Sequence, residues 1–511
     1  MRSESDPAVI ARKLEDFLDA ESCVRIVEEN HVRMLLAPHG SGHSVLAQGG
    51  KVVLHVWSAE GSLVRRVTEL RENRRALRLA AFRLGQARST PLWLEAVSPR
   101  SRRQPERRAF RDAVIEAIHH AWRPWRPVPA PGPAVASHLE FVLLQSRLGH
   151  IACVAVPPDA PRGEGALAAL LLWARALRRE NRVAEGVLLR LIVPAALASA
   201  LQLRIAGLRS APRIAVFTWE REAGLRAAAE SNWGNLESVL PPPREFAPPG
   251  GEWFAPLAAT VARECPGAAC ACGADGRVYF RLHGLTFLRQ SAGPNAWLAP
   301  FQFAEFADRP PFRRQLRPLL PETEPAFLTL LRRLNRERRP DGDPRSPLYQ
   351  LQPEAWMEEL LRERMADVDS HCDPRFLYRQ MPSFCQEGRD VLDLLAAHRD
   401  GRLCVFELKA SAAAGFPLQA LDYWLRVRRH LAAGDFTRRG FFPGLELRPD
   451  PPLLALVSPA LQWHASLGDL LGELVPEIPV VLVGVNEQWR QGVRILERRG
   501  AAAAWQLGSE L

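Results

Sequence analysis

Two carboxylates and a lysine stand out because their residue types and spacing could assemble a metal site. Asp393 lies in one apolar stretch, and Glu407 and Lys409 stand at the end of a second, residues 403–408. Residues two apart in a strand share a face, so Glu407 and Lys409 point the same way while Leu408 points into the core. Carboxylates suit Mg²⁺, which prefers oxygen ligands, and the Leu408 carbonyl offers a further oxygen. A lysine beside them can orient water and offset charge that develops on a phosphate.

Lysine is rare in this chain, which makes Lys409 informative. Only Lys13, Lys51 and Lys409 are lysine among the 67 basic residues. A sequence that uses arginine almost everywhere has lysine at the end of a predicted strand, where a compact ammonium and a planar guanidinium are not interchangeable. The formal net charge of +10 weakly favours a polyanionic partner.

The turn between the two stretches decides whether the carboxylates can share a metal ion. Asp400 and Gly401 indicate a hairpin. A two-residue turn would put Glu407 opposite Leu394 and send Asp393 to the other face of the sheet. A three-residue turn that ends at Gly401 in the left-handed region puts Asp393 opposite Glu407. A shared metal site therefore requires the three-residue turn.

The elements around the hairpin predict an α/β fold for the C-terminal third. The predicted strands are residues 389–396, 403–408, 453–457 and 480–485. The predicted helices are residues 353–368, 418–431 and 461–474.

Further polar residues lie on the predicted helices. Gln419 and Tyr423 are four residues apart and share one face of their helix. On the helix before the hairpin, the pattern Glu-x-x-Met-x-x-Leu-Leu begins at Glu354, which lies at the edge of the apolar face. Glu358 lies slightly further round the helix and is the alternative.

These residues resemble the signature of the restriction-endonuclease-like PD-(D/E)XK nucleases, an aspartate followed after a spacer by Glu-x-Lys. With Gln419 and Tyr423 on the next helix, the pattern is most similar to the archaeal and actinobacterial mismatch and flap endonucleases. The resemblance covers only the C-terminal third. It implies an α/β sandwich over residues 346–505 and a Mg²⁺- or Mn²⁺-dependent hydrolase of DNA, which is branched or single-stranded in that branch.

The resemblance also implies a role for each residue. Asp393 and Glu407 hold the metal, with Leu408 as the backbone ligand. Lys409 positions the attacking water. The remaining residues assist through water or fix the water and phosphate: Glu354 (or Glu358), Gln419 and Tyr423.

Residues 105–225 repeat the same order of elements. The predicted order is helix, two strands, helix, strand, helix, strand. The predicted strands are residues 139–144, 151–156, 187–193 and 213–217, and the long helix after the second strand covers residues 165–179. An alignment of Gly149 with Gly401 places Phe141, Ala155 and Pro157 at the three site positions. We interpret this region as a degenerate nuclease-like copy, and the alternative is two α/β domains with a similar order of elements.

The other regions carry no assigned chemistry. Residues 1–100 are predicted to form a small β-rich domain. Its basic array either faces phosphates or is a solvated face: Arg65, Arg66, Arg71, Arg74, Arg75 and Arg78. Residues 226–345 are predicted to be an α+β connecting region with a strand over 276–287 and a basic helix over 325–338.

Composition excludes several classes of protein. No apolar run reaches the roughly 20 residues that a membrane helix needs. The polar, acidic start of the chain is unlike a secretory signal, so we expect a cytoplasmic protein without membrane contacts. Eight cysteines in 511 residues do not indicate a disulfide scaffold. Cys265, Cys270 and Cys272 lack the spacing of a zinc site and are interpreted as loop and core residues.

The sequence therefore predicts a metal-dependent endonuclease acting on DNA. The first alternative is a non-catalytic nucleic-acid-binding protein with the same fold, whose basic residues bind phosphates. The second is an unrelated structural or interaction protein. The sequence makes no prediction of the oligomeric state.

Overall fold

The protein is a mixed α/β chain, as its sequence predicts. The computed structural model describes the following residues: 3–20, 24–28, 31–36, 42–48, 50–58, 61–73, 76–83, 89–96, 99–130, 132, 139–157, 165–220, 224–228, 240, 243, 254–273, 276–291, 300–306, 314–382 and 391–500. These residues form four sheets and twelve α-helices. None of the described helices is long and apolar enough to cross a membrane.

Contacts divide the chain into two units, Met1–Val114 and Ile115–Leu511. The four sheets follow the order of the four predicted domains, whose boundaries stay predictions. The long helix α2 (Pro99–Ala121) runs across the division between the units.

The first unit is rich in β-structure. Its elements are β1 (Ser3–Glu4), α1 (Pro7–Ala20), β2 (Val24–Glu28), β3 (His31–Leu36), β4 (Gly42–Gln48), β5 (Lys51–Ser58), β6 (Gly61–Asn73), β7 (Ala76–Arg83) and β8 (Ser89–Ala96). The sheet order is β3-β2-β8-β7-β6-β5-β4, and β1 pairs with β6. The buried face of α1, with Ile10 and Leu14, packs in the same core as alternate residues of the strands.

The basic array in this unit makes contacts within the protein. Arg65 forms an ion pair with the fully buried Glu28, with Nε 2.7 Å from Oε1. Arg66 and Arg78 lie over the rings of neighbouring aromatic residues. Arg65 is thus committed to a buried carboxylate, and a phosphate-binding role for the others stays a prediction. Two members lie outside the described residues: Arg74 and Arg75.

The second unit begins with a six-stranded sheet. Its elements are β9 (Arg126–Val128), β10 (Glu140–Ser146), β11 (Gly149–Ala155), α3 (Ala166–Arg179), β12 (Leu188–Val193), α4 (Ala195–Ala206), β13 (Ile214–Glu220) and β14 (Gly224–Ala227). The sheet order follows the chain from β9 to β14. The predicted strands and long helix are all present, and α4 confirms the helix predicted between the last two strands. The sequence analysis missed the two edge strands.

A five-stranded antiparallel sheet follows. Its elements are α5 (Phe254–Glu264), β15 (Ala269–Cys272), β16 (Val278–Leu282), β17 (Leu285–Gln290), β18 (Phe301–Phe306), β19 (Arg314–Pro318) and α6 (Glu324–Glu337). The single strand predicted over residues 276–287 is wrong. His283 and Gly284 have positive φ angles of 45° and 75°, and they turn the chain between β16 and β17.

The C-terminal part contains the predicted site. Its elements are α7 (Pro347–Gln350), α8 (Pro353–Glu363), α9 (Met365–Val368), β20 (Cys372–Pro382), β21 (Val391–His398), β22 (Leu403–Leu408), α10 (Phe416–Ala432), α11 (Asp435–Arg438), β23 (Leu453–Pro459), α12 (Leu467–Leu471), β24 (Val480–Val485) and β25 (Ile495–Gly500). Two helix predictions need correction. The helix over 353–368 breaks at Arg364, which leaves helical geometry at ψ 28°. The helix over 461–474 shortens to α12.

The sheets β9–β14 and β20–β25 have the same topology. In each, the first three strands are antiparallel, the third to fifth are parallel, and the sixth is antiparallel. A helix joins the third strand to the fourth, α3 or α10, and another joins the fourth to the fifth, α4 or α12. The identical strand order is what a duplication requires.

The two sheets also pack reciprocally. Helix α4 contacts α10, and α12 contacts α3, so corresponding helices exchange partners. Leu208, after α4, forms an antiparallel bridge with Leu474, after α12. Core residues of both halves belong to one apolar cluster. This reciprocity is the pattern of an isologous interface between two copies, here within one chain.

The hairpin β21–β22 has the three-residue turn that a shared site requires. The His398 amide donates to the Arg402 carbonyl at 2.8 Å, and the Gly401 amide donates to the His398 carbonyl at 2.9 Å. Gly401 has a φ of +88°, in the left-handed region. The register pairs Leu394 with Phe406, so the next facing pair is Asp393 and Glu407. The prediction of this turn is confirmed.

Gly401→Ala should destabilise the protein more than the matched change Gly440→Ala. Both glycines have positive φ, +88° and +81°, so each substitution carries a backbone cost of about 1–2 kcal/mol. At Gly401 the added Cβ would also lie 1.9 Å from the Glu446 carbonyl oxygen, whereas at Gly440 it meets no atom within 4 Å. We expect a loss of unfolding free energy on the order of 3 kcal/mol or more at Gly401, measured by urea denaturation. Equal losses in the two variants would contradict a role for the Glu446 contact.

Candidate active site

Asp393 is held towards the neighbouring strand by a backbone hydrogen bond. Its Oδ2 accepts the amide of Leu408 at 2.8 Å. The Leu408 side chain is fully buried in the core under α8, on the face opposite to Glu407, as the strand alternation predicts. The Leu408 amide therefore fixes the Asp393 carboxylate beside Glu407, and the role predicted for the Leu408 carbonyl stays a prediction.

Glu407 is a buried carboxylate with one oxygen that has no hydrogen-bond donor. The residue is 1% exposed. Its Oε1 lies 3.4 Å from the Nζ of Lys409, and no donor among the described residues reaches its Oε2. Burial raises the pKa of Glu407 well above its usual range, the Asp393 carboxylate raises it further, and Lys409 opposes both. Asp393 and Glu407 face each other across the hairpin, and a hydrogen bond between their carboxyl groups requires that one of them is protonated.

Asp393 has a similarly shifted titration. Burial raises its pKa from 3.8 to about 7, against the opposing effects of the Leu408 amide and Lys409. The carboxylates of Glu358 and Glu354 raise it further, so negative charge from α8 also acts on Asp393. Two adjacent carboxylates with an unsatisfied buried oxygen fit a hard divalent cation, because it would compensate the charge that one lysine leaves uncompensated.

Lys409 lies one residue beyond β22 and is fixed at its backbone. Its amide donates to the Val457 carbonyl at 3.0 Å. Its side chain is 20% exposed, and Nζ lies 5.9 Å from the centre of the Phe416 ring at the start of α10. The ammonium is thus partly open to solvent and adjacent to Glu407, where it could meet a bound phosphate.

Both candidate glutamates of α8 face the hairpin, in different environments. Glu354 is half-buried, and its Oε1 accepts the amide of Ala410 at 3.4 Å. Glu358 is 1% exposed and forms an ion pair with Arg379 of β20, with Nε 2.9 Å from Oε1. The expectation that Glu358 lies further from the buried face than Glu354 is wrong, because Glu358 is among the buried residues of α8.

Gln419 and Tyr423 lie on one face of α10, as their spacing predicts. Gln419 Nε2 lies 3.4 Å from the hydroxyl of Tyr423. Tyr423 is 3% exposed, and Gln419 is half-buried one turn nearer the helix start. Phe416, at the first position of the same helix, lies beside Lys409. The helix start therefore adjoins the site, and contacts of these two residues with a substrate stay a prediction.

The sequence analysis missed Arg338, which connects α8 to the preceding sheet. Arg338 is fully buried and donates to carbonyl oxygens of five residues. Its guanidinium lies 4.8 Å from the centre of the Trp356 ring on α8. In an arginine-rich sequence, no local pattern distinguishes this arginine from exposed ones. It positions the helix that carries Glu354 and Glu358.

The corresponding hairpin of the upstream sheet, β10–β11, lacks the site residues. Its register corrects the sequence alignment that placed Gly149 on Gly401. Ser146 pairs with Gly149, so the β10–β11 turn has two residues and the hairpin β21–β22 has three. Phe141 faces Val154, and Val154 pairs with Leu191 as Glu407 pairs with Leu456. The structural counterpart of Glu407 is therefore Val154.

The correspondence of Glu407 with Ala155, and of Lys409 with Pro157, is thus wrong by one residue. Val156 takes the position of Lys409, and Phe141 keeps that of Asp393. The physical reason is the shorter turn, which shifts β11 by one position against β10. Valine and phenylalanine side chains supply no oxygen, so the upstream hairpin still lacks side-chain ligands for a hard cation.

Comparisons with known proteins give little information. No family model matches this chain, and no curated protein matches it. The chain has a likeness to the crystal structure of a repair endonuclease from Pyrococcus abyssi, at 12% identity, over 38% of this chain and 89% of that chain. The TM-score is 0.13, so the likeness carries no argument about fold or activity.

The metal-free protein should lose stability as the pH rises from about 4 to about 7. Folding raises the pKa of Asp393 from 3.8 to about 7 and also raises that of Glu407, so it favours the protonated carboxyls. That contribution is complete below the unfolded pKa and is lost as the pH rises through the folded pKa. The unfolding free energy of Asp393→Asn should depend less on pH, as measured by urea denaturation in metal-free buffer. The same pH dependence in both proteins would contradict the raised pKa of Asp393.

Proposed function

We propose that the chain is a metal-dependent endonuclease that hydrolyses DNA phosphodiester bonds. The observation that most supports this is the pair of half-buried Asp393 and buried Glu407, which leaves one Glu407 oxygen beside Lys409 without a donor among the described residues. We assign the C-terminal α/β domain to the PD-(D/E)XK nucleases, near the mismatch and flap endonuclease branch. The function rests on the site chemistry, since fold alone does not imply activity.

Asp393 and Glu407 would hold Mg²⁺ or Mn²⁺, with the Leu408 carbonyl as a further oxygen ligand. A bound Mg²⁺ supplies positive charge to phosphate oxygens and lowers the pKa of its water. The hydrogen bond from Leu408 N–H fixes one Asp393 oxygen, so the carboxylate keeps its orientation before the cation binds. The hard oxygen set favours these cations over softer metals.

Lys409 orients the attacking water and offsets charge on the phosphate in the transition state. Its ammonium already lies beside Glu407, so little reorganisation is needed when the substrate binds. Glu354 is held at Ala410 and assists through water, while Gln419 and Tyr423 fix the water and phosphate from α10. Glu358 is engaged by Arg379, and this makes Glu354 the more available of the two glutamates.

The substrate in this proposal is DNA that is branched or single-stranded. The net charge of +10 favours a polyanion. The upstream sheet would be a degenerate copy of the nuclease domain, packed on the competent one as the second subunit of a dimer would be. One competent site per chain is suited to cutting one strand or trimming a branched end.

Asp393→Asn, Glu407→Gln and Lys409→Arg should each lower Mg²⁺-dependent cleavage by about 100-fold or more, as for the removal of a transition-state contact. Lys409→Arg is the most informative change, because it keeps the charge and moves it. Lys51→Arg, on an exposed lysine of the first unit, is the matched control and should cleave at the wild-type rate. The measurement is single-turnover cleavage of single-stranded, duplex, flapped and mismatched DNA, with Mg²⁺, with Mn²⁺ and with neither.

Wild-type rates in the Lys409→Arg variant would contradict the proposed role of this lysine. Salt-sensitive DNA binding without metal-dependent cleavage would favour a non-catalytic nucleic-acid-binding protein instead.

A separate prediction concerns the number of DNA strands that one chain cuts. Because the upstream hairpin offers Phe141, Val154 and Val156 at the site positions, one chain should nick a supercoiled plasmid before it linearises it. Gel analysis of a single-turnover reaction measures the order in which nicked circles and linear DNA appear. Direct conversion to linear DNA, first order in monomeric enzyme, would rule out a single competent site.

A further inference from the structure

Two cysteines, a histidine and an aspartate form a compact cluster at the turn end of the β21–β22 hairpin. The ligand atoms of Asp369, Cys372, His398 and Cys404 all lie within 4.8 Å of one another. Three of the residues are buried and His398 is half-buried. The sequence analysis singled out none of them.

The fold brings these residues together from three strands and the segment after α9. Asp369 directly follows α9, and Cys372 begins β20. Cys372 pairs with His398 across β20 and β21, and Cys404 pairs with Ala396, two residues before His398. Residues two apart in a strand share a face, so the three side chains from the sheet point to one side.

We propose that this cluster is a structural zinc site. Two thiolates, an imidazole and a carboxylate are a tetrahedral ligand set for Zn²⁺, with bonds of roughly 2.0–2.3 Å. Ligand atoms in such a site lie closer together than 4.8 Å, so small side-chain movements close it around the ion. The two sulfur ligands favour Zn²⁺ over Mg²⁺, which takes oxygen ligands.

The contacts within the cluster are those that an ion would replace. Both cysteines are free thiols, and their sulfur atoms lie within 4.8 Å of each other. His398 Nε2 lies 3.1 Å from Asp369 Oδ2. Zinc binding would release the two thiol protons to solvent, and the imidazole would bind in its neutral form. The hydrogen bond between His398 and Asp369 thus gives way to metal–ligand bonds.

The surroundings suit a bound ion in charge and orientation. Two thiolates, one carboxylate and one Zn²⁺ leave a single negative charge. Arg498 compensates this negative charge, because its Nη2 lies 2.7 Å from Asp369 Oδ2. The His371 amide donates to Asp369 Oδ1 at 3.0 Å and orients the carboxylate, as outer contacts do for metal ligands.

The site is separate from the candidate active site and connected to it through one strand. Cys404 precedes Glu407 by three residues in β22, a separation of roughly 10 Å. The zinc ion would tie the last residue of β21 and the second residue of β22 to the segment after α9. It would therefore hold the hairpin in the register that sets Asp393 opposite Glu407.

The first test measures metal in the full chain, independently of any nuclease activity. Protein expressed with zinc in the medium and dialysed without chelator should contain about one zinc per chain, as measured by inductively coupled plasma mass spectrometry. Protein refilled with Co²⁺ should show the visible and near-ultraviolet bands of tetrahedral thiolate coordination. Asp393→Asn should keep its zinc, which separates this site from the proposed catalytic one.

Matched variants locate the ion. Cys404→Ala should lose the zinc, whereas Cys153→Ala should retain it; both cysteines are fully buried, and Cys153 lies in β11 of the upstream sheet. Cys270→Ala should also retain it, which excludes the group of cysteines near β15. If Cys404→Ala does not fold, the Co²⁺ spectrum of Asp369→Ala, compared with that of the wild-type chain, decides the same point, because alanine removes the oxygen ligand and alters the bands.

Three outcomes would overturn the proposal. The first is wild-type protein that neither contains zinc nor gives the cobalt bands. The second is a disulfide between Cys372 and Cys404 in protein kept under reducing conditions. The third is unchanged zinc content in folded Cys404→Ala.

Discussion

The register of one hairpin determines whether the proposed active site can form. Asp393 and Glu407 face each other only because three residues close the turn between β21 and β22. Gly401 makes that turn, since its φ is positive and any Cβ would collide with the Glu446 carbonyl. A turn shorter by one residue, as in the upstream hairpin, shifts one strand against the other by one position. The close approach of Glu446 therefore requires glycine at residue 401, and the turn made by Gly401 sets the register of the carboxylate pair at the other end of the hairpin.

The same arrangement makes the site electrostatically unfavourable without a cation. Burial raises the pKa values of Asp393 and Glu407, and nearby carboxylates raise both further: Glu358 and Glu354 act on Asp393, and Asp393 acts on Glu407. Lys409 opposes both shifts. Such strain is common where side chains are arranged for catalysis and less so where they only stabilise a fold. The surrounding structure tolerates it because Arg338 anchors α8 through backbone carbonyls and the Leu408 amide holds Asp393. A cation at the pair would relieve the repulsion and complete the proposed chemistry.

The sequence predicts best where burial alone sets the pattern. The bounds of β22 and β24 match the predicted residues 403–408 and 480–485, because both are apolar runs covered on two faces. The three-residue turn of the β21–β22 hairpin was predictable for two reasons. A shared metal site requires it, and Gly401 suits the left-handed position at its end. Strand β20 was missed, since its alternation of charged and aromatic residues resembles a loop, and with it the partner of Glu358. The cysteine–histidine cluster spans residues 369–404 without ligand spacing and becomes visible only once the strands are paired.

Two sheets of the same topology pack against each other through their helices within this chain. Reciprocal contacts of α4 with α10 and α12 with α3 make this part of the chain resemble a dimer in which one half carries the proposed site. The central claim is that Asp393 and Glu407 bind one cation, and a crystal soaked in Mn²⁺ tests it most directly by anomalous scattering. We predict an anomalous peak within roughly 2.0–2.4 Å of one oxygen of Asp393 and one oxygen of Glu407. Carboxylates on opposite faces of the sheet, or Mn²⁺ bound elsewhere while the pair stays empty, would contradict it.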